Sequence, residues 1–152
     1  MTTPILRDAT AADFPQLAAL LAETSLPLAG VADHLAAFLV AEDDGGLVGS
    51  AGLEIYGAHA LLRSVAVATN RRGTGLGRIL IEAAIGRARS RGLESVTLLT
   101  TTAADYFPRF GFRRIDQAAA PAAVRRSTQF NGICPATAVA MQLELNPRQA
   151  AS

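Results

Sequence analysis

Apolar positions along the chain change period several times, and each change marks an element. Residues 5–8 read as a short strand. Phe14, Leu17, Leu20 and Leu21 then recur at helical spacing. Thr10 is a helix N-cap and Asp13, three residues on, an acidic variant of the capping box, so residues 11–23 are predicted to form a helix. A second short helix is expected over residues 31–35. Residues 38–42 read as a strand, Asp43-Asp44-Gly45-Gly46 as a hairpin turn and residues 47–56 as the next strand. Gly57-Ala58-His59 turns the chain again, and residues 60–67 complete a three-stranded meander. A long helix is expected from about residue 75 to 91. Leu76, Ile79, Leu80 and Ala83 would form its apolar face, and Gly92 would end it. Residues 96–99 read as a buried strand, 103–109 as a short helix and 112–115 as a strand. Pro121 can open a short helix to residue 126, and residues 139–145 form the last strand. Antiparallel meander, helix, strand, helix, strand predicts an α/β domain with a mixed sheet.

The 152 residues suit one domain. The polar and small residues 146–152 read as a frayed tail, which leaves residues 1–145 as the domain. Half of the residues are hydrophobic and 18% are charged, which excludes a disordered acidic or basic protein. All 14 basic residues are arginine. Without lysine there is neither a phosphate loop ending in Gly-Lys-Ser/Thr nor a Schiff base. A net charge of +1 argues against a nucleic-acid partner. The arginines at 71, 72 and 78 form a local cluster, not a stripe. Cys134 is the sole cysteine, so an internal disulfide and a thiolate metal cage are both impossible, and a reducing, cytoplasmic setting fits. No apolar run approaches the ~18 residues of a membrane span. Arg7 and Asp8 stand where a signal peptide needs its apolar stretch.

The informative segment is strand 60–67, Arg71-Arg72-Gly73-Thr74-Gly75-Leu76-Gly77, then helix 75–91. Glycines at a strand-to-helix turn let backbone N–H groups converge. The unpaired N–H groups of the helix's first turn and its dipole add to them, making an anion site. Arg72 and Arg78 add charge, and the expected guest is a phosphate or pyrophosphate. The dinucleotide fingerprint fails by register: its last glycine position falls on Leu80 or Arg78. The alternative at this level is a tight connection with no ligand.

Arg72-Gly73-Thr74-Gly75-Leu76-Gly77 resembles the R/Q-x-x-G-x-G/A motif of the GNAT acetyltransferase superfamily. Leu62-Arg63-Ser64-Val65-Ala66-Val67 is similar to the strand before that motif, and Phe110-Gly111-Phe112 to the Gly-Phe pair that follows the family's last helix. Order and spacing agree over about residues 3–145. The resemblance implies a GNAT-like fold: a mostly antiparallel sheet, splayed at the coenzyme site and flanked by helices. It also implies acetyl-CoA as co-substrate, with no metal. The N–H groups of residues 73–78 (Gly73, Thr74, Gly75, Leu76, Gly77, Arg78) beside Arg72 would take the pyrophosphate, and the backbone of Val65, Ala66 and Val67 would pair with the pantetheine arm. Within the superfamily, Leu98-Leu99-Thr100-Thr101-Thr102-Ala103-Ala104-Asp105, Pro121-Ala122-Ala123-Val124-Arg125 and Cys134-Pro135-Ala136 resemble the arsenic-resistance N-acetyltransferases. The Leu-Leu-Thr-Thr-Thr stretch is also similar to the acetyltransferase part of glutamate N-acetylating enzymes.

Direct acetyl transfer needs a proton acceptor for the amine, an N–H to polarise the thioester carbonyl, and a proton for the leaving thiolate. Many GNAT enzymes place a tyrosine four residues before the glycine of the Gly-Phe pair. Here Phe107 holds that position and Tyr106 lies one residue earlier, so the expected donor is Tyr106, with solvent as the alternative and Phe107 lining the coenzyme arm. Glu54, between apolar Leu53 and Ile55, is the expected base, against a solvated strand carboxylate. Arg63 would hold an acceptor carboxylate or oxyanion, or pair across strands with Glu54. His59 reads as a surface turn residue and His34 as a partly buried structural histidine. Arg113, Arg114, Arg125 and Arg126 read as solvated, and Cys134 as a buried, inert thiol, since one thiolate makes a poor ligand for trivalent arsenic.

These expectations point to an N-acetyltransferase acting on the amine of a small, amino-acid-like acceptor, an arsenical among the candidates. The rivals share the fold: a non-catalytic acetyl-CoA sensor, and a protein acetyltransferase. Residues 116–138 would cover an acceptor groove, which favours a small acceptor. Neither a nucleic-acid nor a membrane partner is expected, and the protein would be a monomer or homodimer.

Overall fold

A computed structural model describes residues 3–133 and 137–145. Seven strands lie in the order β1-β2-β3-β4-β5-β7-β6. The chain divides into two compact units, residues 1–54 with 63–84, and residues 55–62 with 85–152.

The first unit holds β1 (Ile5–Asp8), α1 (Phe14–Glu23), α2 (Val31–His34), β2 (Phe38–Asp43), most of β3 (Gly46–Tyr56), the later part of β4 (His59–Val67) and the start of α3 (Leu76–Ser90). The helix expected over 11–23 is split: a 3-10 turn covers Ala11–Asp13, and the α-helix begins at Phe14. Pro15 explains the break, because proline is tolerated only in a helix's first turn. The Asp13 carboxylate accepts the Thr10 backbone N–H at 2.7 Å and both Nη groups of Arg7 at 2.8 Å. The Arg7 guanidinium, followed by Thr10, holds the Asp13 carboxyl well below the usual carboxylate range. Leu17, Leu20 and Leu21 of α1 are buried with Val31, Phe38, Val40 and Ala66, in one core. β1 pairs antiparallel with β2, and β2 with β3. Gly52 faces Phe38 across the second pair, and a Cβ there would lie 2.3 Å from the Phe38 ring. The glycine is what lets the ring lie flat against the strand.

In the second unit, β5 (Ser95–Thr100) runs parallel to the first residues of β4, from His59↔Ser95 to Leu61↔Thr97. β7 (Val139–Glu144) pairs antiparallel with β5 over six residues and with β6 (Arg113–Ile115) on its other side. The segment expected to be helical over 103–109 is a 3-10 turn at Phe107–Phe110, and α4 spans Ala122–Arg125. A π-helical turn at Gln129–Ile133 had no signal in the pattern. The Cys134-Pro135-Ala136 stretch and the expected tail 146–152 lie outside the described residues.

Two packing expectations need correction. The buried stripe of α3 is Leu76, Leu80, Ile81, Ala84, Ile85 and Ala88, whereas Ile79 is 50% exposed. Starting the face at Leu76 and Leu80 was right, but the stripe follows i+4 and i+5 instead of i+3. His59 opens β4 instead of lying in the turn, half-buried, with Nδ1 2.8 Å from the Ser95 hydroxyl. Among the described residues, no helix is long and apolar enough to cross a membrane.

Candidate active site

The turn from β4 into α3 is built on left-handed backbone. Gly73 and Gly75 have φ of +78° and +86°, values that strain any residue with a Cβ. Nothing lies within 4 Å of a Cβ at either, so conformation alone demands glycine there. Gly77 differs: its φ is unexceptional, and a Cβ would sit 3.5 Å from a Val67 methyl. The first intrahelical bond of α3 runs from the Ile79 N–H to the Gly75 carbonyl at 3.2 Å. The N–H groups of Leu76, Gly77 and Arg78 are therefore first-turn donors at the positive end of a 15-residue helix. Arg72 and Arg78 are both exposed beside them.

This turn is fastened from behind. Arg71 faces inward and forms an ion pair with Asp43 at the β2–β3 hairpin. The arginine cluster expected at 71, 72 and 78 is therefore divided: Arg71 is structural, and only Arg72 and Arg78 face out. The Glu23 carboxylate at the end of α1 accepts the Thr69 N–H at 3.0 Å and its hydroxyl at 2.8 Å. Those two bonds, then the Arg72 charge, hold the Glu23 carboxyl below its usual range. The Thr74 hydroxyl donates to the Arg71 carbonyl at 2.5 Å, closing the turn.

β4 itself is bent one step earlier. Ser64 has φ of +56° in mid-strand, where a serine pays about 1–3 kcal/mol of strain. Two bonds hold it: the Ser50 hydroxyl donates to the Ser64 carbonyl at 2.7 Å, and Arg63 Nε to the Ser64 hydroxyl at 3.1 Å. Beyond the bend Val65 and Val67 are half-buried, and Ala66 points into the core.

Arg63 is the hub of this corner. Its Nη1 donates to Glu54 Oε2 at 2.7 Å and to the Ala29 carbonyl at 2.6 Å, and its Nη2 to the Pro27 carbonyl at 2.9 Å. The Arg63 and Glu54 side chains are each 1% exposed. The solvated alternative for Glu54 therefore fails, because both faces of β3 are covered at that position. The cross-strand pair expected for Arg63 is present. Four of the guanidinium's five N–H groups are used inside the protein, which leaves one for any ligand. Across Glu54, His34 Nε2 lies 3.5 Å from Oε1, with the imidazole 25% exposed.

In the second unit Phe107 is buried against Phe112, ring centroids 5.7 Å apart. Tyr106 is half-buried at the start of the 3-10 turn, edge-on to Phe110 at 5.4 Å, with the Arg109 guanidinium 4.2 Å above its ring. A 3-10 turn advances about 120° per residue, so Tyr106 and Phe107 face different ways.

The profile of the acetyltransferase (GNAT) domain matches residues 34–114. The chain belongs to the GNAT acetyltransferase family. An uncharacterised N-acetyltransferase of Chlorobaculum tepidum is 31% identical over 88 residues, 57% of this chain and 56% of that protein. The match thus spans little more than half of that relative. N-acetylglutamate synthase of Neisseria gonorrhoeae, solved with coenzyme A and N-acetyl-glutamate, superimposes with a TM-score of 0.80 at 25% identity. That alignment covers 95% of this chain and 36% of the synthase chain. Rv2747 of Mycobacterium tuberculosis, solved with CoA and NLQ, gives 0.74 at 23% identity over 93% of this chain and 99% of that one, a likeness of fold.

For a GNAT domain the sequence found the glycine turn, Glu54 and Arg63. It missed the contacts of His34 with Glu54 and of Arg63 with the loop before α2. Neither has a local motif: Arg63 and Pro27 are 36 residues apart. An arginine in an otherwise apolar strand was the available hint. Among the described residues, no group of three His, Cys, Asp or Glu is placed to hold a metal.

Proposed function

We propose that this chain transfers the acetyl group of acetyl-CoA to the amine of a small, amino-acid-like acceptor, directly, with both substrates bound. The observation that carries the reading is the pair of left-handed glycines, Gly73 and Gly75, opening α3 with its first-turn donors outward. Those N–H groups, with Arg72 and Arg78, suit the pyrophosphate of coenzyme A. The peptide groups of Val65 and Val67 suit the pantetheine amides, which would add to the strand beyond the Ser64 bend. In the transfer, the amine nitrogen bonds to the thioester carbonyl carbon and the C–S bond breaks. One amine proton goes to a base on the Glu54 side and one to the departing thiolate, with Tyr106 the candidate donor. Phe107 would pack beside the coenzyme arm. Arg63 would serve the acceptor chiefly by holding the loop that carries Pro27 and Ala29.

The acceptor class rests on the synthase solved with N-acetyl-glutamate and on the resemblance of residues 98–105 and 121–125 to arsenic-resistance N-acetyltransferases. The acceptor panel therefore includes glutamate, glutamine and an arsenical amino acid. A non-catalytic coenzyme sensor is the second reading. Phe107 at the usual tyrosine position and the packing of Tyr106 under Arg109 favour it.

The test is calorimetry and thermal melting with acetyl-CoA, CoA and NADH, followed by thiol release across the amine panel. At a hundred times its dissociation constant a ligand adds about 2.7 kcal/mol, or roughly 5–10 °C here. Both CoA species should shift the melt, NADH should not, and Gly75→Glu should abolish the shift. Binding without release of CoA from any amine would leave the sensor.

A further inference from the structure

We infer that His34 is the group that takes the proton from the acceptor amine, and that Glu54 acts through it. The inference rests on the acetyltransferase reading above. Glu54 is 1% exposed, and Arg63 at 2.7 Å occupies its Oε2. A carboxylate so enclosed cannot meet an acceptor without breaking the pair. Its other oxygen faces His34 Nε2 at 3.5 Å, and His34 is the member of the row that reaches solvent, at 25% exposure. The row runs from solvent through His34, Glu54 and Arg63 to Ser64, the bent residue next to the Val65 peptide proposed for the coenzyme arm.

The row has the logic of a carboxylate–imidazole pair. Facing Nε2, Glu54 favours the tautomer protonated there and leaves Nδ1 as acceptor. The 3.5 Å separation is loose, and such bonds often tighten only with substrate in place. An ammonium acceptor gives one proton to Nδ1, forming an imidazolium beside the Glu54 carboxylate. The neutral amine then forms the C–N bond as the C–S bond breaks. The remaining amine proton ends on the CoA thiol, and His34 returns its proton to solvent. Arg63 keeps Glu54 in place and, through the Pro27 and Ala29 carbonyls, holds the chain just ahead of α2 and thus His34.

The test compares wild type with His34→Gln, His34→Ala, Glu54→Gln and the His34→Gln/Glu54→Gln double variant, on acetyl-CoA with L-glutamate or whichever panel amine turns over fastest. His59→Gln serves as control for the other histidine. His34→Gln should lower kcat about 10²–10⁴-fold, with acetyl-CoA affinity within about two-fold and the melting temperature little changed. The double variant should be no slower than His34→Gln alone, because residues acting as a unit are not additive. Added imidazole should restore part of the activity of His34→Ala, which a purely structural histidine would not allow. If His34→Gln keeps kcat within about threefold while wild type turns over, the inference is wrong and the acetyltransferase reading stands. Loss multiplying in the double variant would also overturn it. If wild type binds acetyl-CoA and acetylates no amine, the reading fails and the inference with it.

Discussion

Glu54→Leu is the sharpest probe of the corner that ties β3, β4 and the loop before α2 together. It leaves the Arg63 guanidinium 1% exposed, with carbonyl and hydroxyl acceptors but no counter-charge. Removing one member of a buried ion pair costs about 3–5 kcal/mol, since the survivor's desolvation is no longer offset. A domain of this size loses about 2–4 °C per kcal/mol, so melting should fall by roughly 6–20 °C. Arg63→Met should cost at least as much, because it strands the Glu54 carboxylate and frees the Pro27 and Ala29 carbonyls. The double variant Glu54→Leu/Arg63→Met leaves no unpaired charge and should be more stable than the sum of the singles by about 2–3 kcal/mol, the coupling expected of contacting residues. Urea unfolding in low and high salt gives the cycle. The coupling should persist in high salt, because screening acts weakly on a pair removed from solvent. A Glu54→Leu variant within 1 kcal/mol of wild type would refute the reasoning, as would strictly additive singles or a coupling that disappears with salt.

Asp13 supplies a pH test. Its folded-state pKa lies below the unfolded value, so its contribution is complete above about pH 5 and fades as pH falls through the carboxylate range toward the folded value. Asp13→Asn should be less stable than wild type at neutral pH, and the gap should narrow on acidification; equal gaps at pH 7 and pH 3 in urea melts would contradict the Arg7 contact. Gly52→Ala should cost about 1–3 kcal/mol or more in chemical denaturation, because its Cβ enters the Phe38 ring; an unchanged midpoint would mean that the ring moves freely. Gly75→Ala and Gly77→Ala should differ in sign. The first forces a side chain to φ +86° and loses about 1–2 kcal/mol, whereas the second replaces a helical glycine and gains up to about 1 kcal/mol. Paired thermal melts separate them, and equal shifts would sink the distinction between conformational and spatial need.

Local chemistry was legible wherever it depends on neighbours in the chain. The period of apolar residues placed all seven strands and the long helix, because that period reports which face of each element leaves water. Glycines 73 and 75 and the acidic capping residue Asp13 act within a few residues of themselves, so their roles could be read directly. The side-chain partners could not. Whether Arg63 serves a ligand or the protein depends on carbonyls 34 and 36 residues away. Whether Glu54 is solvated depends on what covers both faces of β3. Arg71, Arg72 and Arg78 look alike in sequence, yet Asp43 draws the first inward and leaves the other two for solvent. His34 and Glu54 belong to an unremarkable short helix and an ordinary strand until packing sets them 3.5 Å apart. Periodicity and backbone freedom are properties of a segment. Burial and charge pairing are properties of what folds over it, and only the tertiary structure decides them.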